Sequence, residues 1–128
     1  MNGEDSFIMF GQEYFLGFTI RVLASFNMWG HGTQYAVFAV RNLSEEGNYL
    51  NISIGHVDGS GNGNAYVRIF FDKTTNEEHD YEFLISSQVA PLYNQRINIV
   101  GRNAMIVQVV NTSGNPLAIG FADLDIIK

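Results

Sequence analysis

Apolar and polar residues alternate with a period of two along most of this chain, the spacing that sends every second side chain to one face of a β-strand. From Phe18 to Phe26, Phe18, Ile20, Val22, Ala24 and Phe26 alternate with Thr19, Arg21, Leu23 and Ser25. Tyr35 to Val40 is rich in β-branched and aromatic residues and reads as a strand buried on both faces. Tyr49 to Val57 sets Leu50, Ile52 and Ile54 against Asn51, Ser53 and Gly55. Tyr66 to Phe71 sets Val67, Ile69 and Phe71 against Tyr66, Arg68 and Phe70, and Tyr81, Phe83 and Ile85 alternate with Glu82, Leu84 and Ser86. Ile97 to Val100, Met105 to Val110 and Leu117 to Ile127 complete a set of about eight strands. Glu13 to Leu23 fits a helical period only poorly, because Gly17 and the β-branched residues oppose it.

Between the runs lie clusters of Gly, Asn, Asp and Ser, residues that accept the backbone angles of tight turns. They fall at Trp29 to Gly32, Asn42 to Asn48, Asp58 to Asn64, Lys73 to His79, Ala90 to Gln95, Gly101 to Asn103 and Asn111 to Pro116. The last of these reads as the clearest hairpin connection. The expected fold is therefore all-β, with about eight antiparallel strands in a two-sheet sandwich of jelly-roll or immunoglobulin-like type. A closed β-barrel is the alternative. Residues 13–128 read as one sandwich domain. Residues 1–12, acidic and then apolar from Phe7 to Phe10, read as an arm that caps the sandwich or reaches a neighbouring subunit.

The 128-residue length suits a single domain with a core of its own. Only 16% of residues are charged, and the polar surface falls to Asn, Ser, Thr and Gly. The net charge is -6, and the seven basic residues stand singly along the chain. Phosphate backbones and anionic membranes both call for clustered cations, so neither nucleic acid nor a membrane is an expected partner. With no cysteine, thiolate chemistry and disulfides are excluded. Acids rather than bases open the chain, and Phe7 to Phe10 is too short for a secretory core, so the sequence reads as soluble and without its own signal peptide.

Enzymatic patterns are not found. The nucleophile elbow Gly-x-Ser-x-Gly is missing, and His31, His56 and His79 fall in a turn, at a strand end and in a loop. Asp123 and Asp125 share one strand face at i, i+2, which reads as a solvated edge rather than a cation site. The loop Asp58-Gly59-Ser60-Gly61-Asn62-Gly63-Asn64 resembles a calcium loop in part, yet Ser stands at its third position and Ile69 where a Glu would close it. It reads as a flexible hairpin tip. The sequons at Asn42, Asn51 and Asn111 read as silent. No catalytic residue, metal ligand or cofactor is expected, and the protein is read as a non-enzyme.

What remains is binding. Phe7, Ile8, Phe10, Trp29 and Tyr93 are the interface candidates, because large apolar side chains in an arm or a loop are costly to expose unless something covers them. In composition and strand count the chain is similar to the small decoration, neck or tail proteins of phage virions. That likeness implies a structural protein that assembles on itself, a trimer among the options, and on a larger protein particle. The alternative is a carbohydrate-binding module using Trp29 and the loop tyrosines.

Overall fold

A computed structural model describes residues 6–14, 17–22, 34–41, 47–113 and 115–127, and these form strands, turns and loops without a helix. In chain order the strands are β1 (Phe7–Met9), β2 (Gln12–Tyr14), β3 (Gly17–Val22), β4 (Gln34–Arg41), β5 (Tyr49–His56), β6 (Asn64–Phe71), β7 (Tyr81–Ser86), β8 (Leu92–Asn98), β9 (Ala104–Asn111) and β10 (Leu117–Ile127). One sheet runs β3-β10-β5-β8 and the other β4-β9-β6-β7, every neighbour antiparallel, while β1 and β2 form a hairpin of their own. The two sheets face each other as a sandwich and do not close into a barrel.

Among the consecutive strands from β3 onward, only β6 and β7 pair within a sheet; the other connections cross between sheets. The first and last of these strands, β3 and β10, lie side by side. That is the connectivity of a jelly roll rather than of an immunoglobulin-like sandwich.

Period two decides what the layers bury. Leu50, Ile52 and Ile54 of β5 and Leu117, Ile119 and Phe121 of β10 face Val67, Ile69 and Phe71 of β6 and Met105, Val107 and Val109 of β9 in one core. Each of these is at most 5% exposed. Burying a side chain of this size is worth about 1.5–3 kcal/mol, which makes the inter-sheet layer the main source of stability. Toward the β3 and β4 edge, Phe18 stacks on Phe121 and Phe38 meets both rings edge-on, with centroids 5.1–5.6 Å apart.

Several expectations need correction. Asn111 to Pro116 is not a hairpin, because it carries the chain from β9 in one sheet to β10 in the other. Asp58 to Asn64 likewise crosses between sheets and is tied down rather than flexible. Val57 N donates to Ala118 O, Gly63 N to the Ser87 hydroxyl and Asn115 Nδ2 to Asn62 O, at 2.9–3.0 Å. The strand over Tyr35 to Val40 is not buried on both faces: β4 is a sheet edge and exposes Val37, Ala39 and Val40. Leu92 to Gln95, expected as turn, belongs to β8. Residues 23–33 and 42–46 lie outside the described residues, and with them the Trp29 and His31 assignments, the Asn42 sequon and the far end of the Phe18 to Phe26 run.

Candidate binding site

The outer face of the β3-β10-β5-β8 sheet holds both features that stand out from an ordinary sandwich. The first is the β1–β2 hairpin, which lies on that face. Phe7 and Met9 point inward and are 8% and 0% exposed, forming a small second cluster with Ala122, Tyr14 and Val57. The sheet accepts them because β5 and β10 place glycine at the paired positions Gly55 and Gly120. A Cβ on Gly120 would stand 2.7 Å from Phe7 Cε2 and 2.9 Å from Met9 Sδ, and one on Gly55 would stand 2.6 Å from Pro91 Cβ. The side chains absent from these two positions leave the seat of the hairpin.

Phe10 and Gly11 form its two-residue turn, with φ of 50° and 83°. Positive φ at both central positions is the type I′ geometry that matches strand twist, and Asn-Gly is its preferred sequence. A phenylalanine there is strained. The turn is held in place by Asp58, whose Oδ1 accepts from Phe10 N at 3.0 Å and Oδ2 from Gly11 N at 2.7 Å. Asp58 N in turn donates to Ile8 O at 2.7 Å. The carboxylate that the calcium-loop comparison singled out is therefore engaged with the hairpin. Ile8 and Phe10 project outward, 42% and 58% exposed.

The second feature is an interruption of the sheet beside the hairpin, a notch in the strand ladder where β5 is flanked by a bulge on each side. Across β8, Tyr93 and Asn94 oppose the single residue Ser53; across β10, Asp123 and Leu124 oppose Ile52. Asn94 and Asp123 take φ of 50° and 54°. Asn and Asp are the non-glycine residues that best tolerate this region. Two outward residues of β5 hold both bulges. Ser53 Oγ donates to Asp123 Oδ2 at 2.6 Å and accepts from Asn94 N at 2.9 Å. Asn51 Nδ2 donates to Asn94 Oδ1 at 3.1 Å and to Asp123 O at 2.9 Å.

Tyr14 closes the side of the notch nearest the hairpin. Its ring stacks on Phe7 at 5.7 Å. Burial, then the neighbouring Tyr93 hydroxyl and the Asp123 carboxylate, push the Tyr14 pKa above the usual tyrosine range. Tyr93 forms the rim and is exposed. One register position further on, Arg96, Asn51 and Asp125 stand abreast across β8, β5 and β10. The bulge at Asp123 and Leu124 breaks the alternation that had put Asp123 and Asp125 on one regular face. Among the described residues no cluster of acids and histidines has the makings of a metal site.

The interface candidates thus divide. Ile8 and Phe10 are displayed, Phe7 packs within the molecule, Tyr93 rims the notch, and Trp29 lies outside the described residues. Ser53, Asn94 and Tyr14 are not among the sequence candidates, and Asn51 is among them only as a sequon. Of the two described histidines, His56 is buried with Nε2 2.7 Å from Gly61 O and 3.1 Å from Ser60 Oγ. That hydroxyl already donates to Val57 O and accepts from Ala118 N, so the pair latches a loop. His79 sets its ring edge-on to Phe70. An apolar cavity of about 340 Å3 opens between the sheets near Phe18, Phe38 and Leu124. Its one charged lining residue is Asp125.

No protein-family model matches this chain, and no curated protein matches it. Fold and surface define it as a jelly-roll sandwich with a hairpin docked on one outer face.

Proposed function

We propose that the protein is a non-enzymatic interaction module that assembles with copies of itself through the displayed tip of the β1–β2 hairpin. The observation that carries this reading is Phe10. A bulky side chain in the left-handed region costs about 1–2 kcal/mol, and the cost falls on a residue 58% exposed, so the fold gains little from it. Such strain is typical of sites held for a purpose other than stability. Asp58 fixes the turn, which lowers the ordering entropy that an interface would otherwise have to overcome. Covering Ile8 and Phe10 together offers about 3 kcal/mol, enough to matter at the centre of a larger contact.

The finer form of this reading is a decoration, neck or tail-associated protein of a phage virion. It is supported by the low charge, the Gly- and Asn-rich loops, and a strand order that capsid domains share with lectins; this last support is fold-level analogy.

Phe10→Asn separates the two roles of the residue. Asn suits the turn, so the variant should unfold at the same temperature as the parent or up to about 3 °C higher. Light scattering behind size-exclusion chromatography at two concentrations should show an oligomer for the parent and a smaller mass for the variant. A parent that is monomeric at both concentrations, or a variant of unchanged mass, would overturn the proposal.

A further inference from the structure

The notch between the two bulges has a chemistry of its own, separate from the hairpin tip and independent of the assembly reading. Its floor is fixed by paired hydrogen bonds, yet several polar atoms at its mouth are left over. Asn94 Nδ2, Asn51 Oδ1 and Asp123 Oδ1 make no hydrogen bond among the described residues, whereas the other polar atom of each of these side chains is engaged. Each side chain is thereby held by one atom, on residues that are exposed (Asn94, Asp123) or half-buried (Asn51), which leaves an amide donor, an amide acceptor and a carboxylate acceptor within one bulge pair. Arg96, abreast of Asn51, adds a charged donor beside them. Tyr93 supplies an exposed aromatic ring at the rim, and the buried hydroxyl of Ser53 holds Asp123 and Asn94 in register from below.

We propose that this notch binds a saccharide. A pyranose presents neighbouring hydroxyls, each both donor and acceptor, on a ring whose C–H face is apolar. Side-chain amides and a carboxylate with one oriented free atom each match the hydroxyls, and the Tyr93 ring matches the C–H face. Phosphate or another anion fits poorly, because β10 brings two carboxylates, Asp123 and Asp125, to one side of Asn51, against the single cation Arg96 on the other. A purely apolar ligand would leave the three free polar atoms without partners, a cost of about 1–3 kcal/mol for each one buried. Asn94 and Asp123 both take left-handed conformations and face one another across β5, the kind of paired backbone irregularity that collects at binding sites. The sequence pointed to Trp29 for sugar stacking; the geometry points to Tyr93 and the bulge residues.

The test is a two-dimensional NMR titration of the whole chain with the methyl glycosides of glucose, galactose, mannose and N-acetylglucosamine, at concentrations reaching the millimolar range of weak single-site binding. At least one glycoside should shift the backbone amides of Asn94, Asp123 and Leu124 saturably. Asn94→Gly accepts the same backbone angle without strain and so keeps the fold while removing the amide; it should weaken binding tenfold or more. Tyr93→Ala should do the same, and Phe10→Asn should leave the titration unchanged. No saturable shift at these amides with any of the four glycosides, or full-strength binding by both Asn94→Gly and Tyr93→Ala, would overturn the assignment.

Discussion

Asn111 ends β9 with its side chain wholly buried, and it ties β3 to the loop that follows β9. Its Nδ2 donates to Val22 O at 3.3 Å and to Asn115 O at 2.8 Å, while its Oδ1 accepts from Ser113 N at 2.8 Å and from the Ser113 hydroxyl at 2.6 Å. Leucine at this position would fill the space and strand those partners, so Asn111→Leu should lower unfolding stability by about 3 kcal/mol in a urea titration. A loss below about 1 kcal/mol would mean that water replaces the amide. The same burial puts the amide of this sequon inside the folded protein. Asp80 is a second residue of this kind. Burial pushes its carboxyl up, but the hydrogen bond from Phe71 N and the nearby Lys73 and Arg102 outweigh that and hold its pKa below the usual range. A lowered folded-state pKa gives stability that is present above the unfolded value, near 4, and lost as the pH falls through the lowered one. Asp80→Asn should therefore be less stable than the parent at neutral pH, by about 1 kcal/mol, with the gap closing toward pH 3. A gap that stays constant with pH would point to packing instead of charge.

The β1–β2 hairpin is joined to the sandwich through a surface that two glycines leave flat. Gly120→Ala brings a methyl group to 2.7 Å from the Phe7 ring without changing the backbone region, so the expected loss is about 1–3 kcal/mol, confined to the hairpin. Hydrogen exchange should speed up at residues 7–14 and remain slow in β6 and β9; equal acceleration in those core strands would show that the hairpin and the sandwich unfold as one unit. This element also marks where the sequence stopped being readable. Strands with unbroken alternation, such as β5, β6, β9 and the first half of β10, are legible because one buried face imposes period two. The bulges at Tyr93–Asn94 and Asp123–Leu124 interrupt that period, so alternation alone starts β8 at Ile97 rather than Leu92 and sets the two acids of β10 on one regular face. The candidate notch is made of those same interruptions. Phe10–Gly11 escaped notice as a turn because its first residue is the wrong type for the conformation it holds. Tyr93 was legible as an aromatic in a polar stretch, whereas its partners Asn51, Ser53 and Asn94 are ordinary residues until the register brings them together.

At the scale of the molecule, the two outer faces differ. One carries the hairpin and the notch, while the other presents a regular pattern in which Arg68 pairs with Glu82 at 2.7 Å across β6 and β7. A partner approaching the first face would meet apolar side chains at the hairpin tip and polar ones at the bulges, so one surface can serve assembly and ligand together. The strand order has a further consequence, which lies in biosynthesis. Of the ten strands, the two that leave the ribosome after the others, β9 and β10, are inner strands: β9 joins β4 to β6, and β10 joins β3 to β5. Until residues 104–127 have emerged, each sheet has an open gap: β3 and β4 lack their sheet neighbour, and β5 and β6 each keep one edge unpaired. Such edges invite pairing with other chains, and the nascent protein must keep them apart without the help of its own fold. Ribosome-bound chains stalled before Leu117 should thus remain open to protease along their whole length, and resistance should appear in a single step once β10 is free.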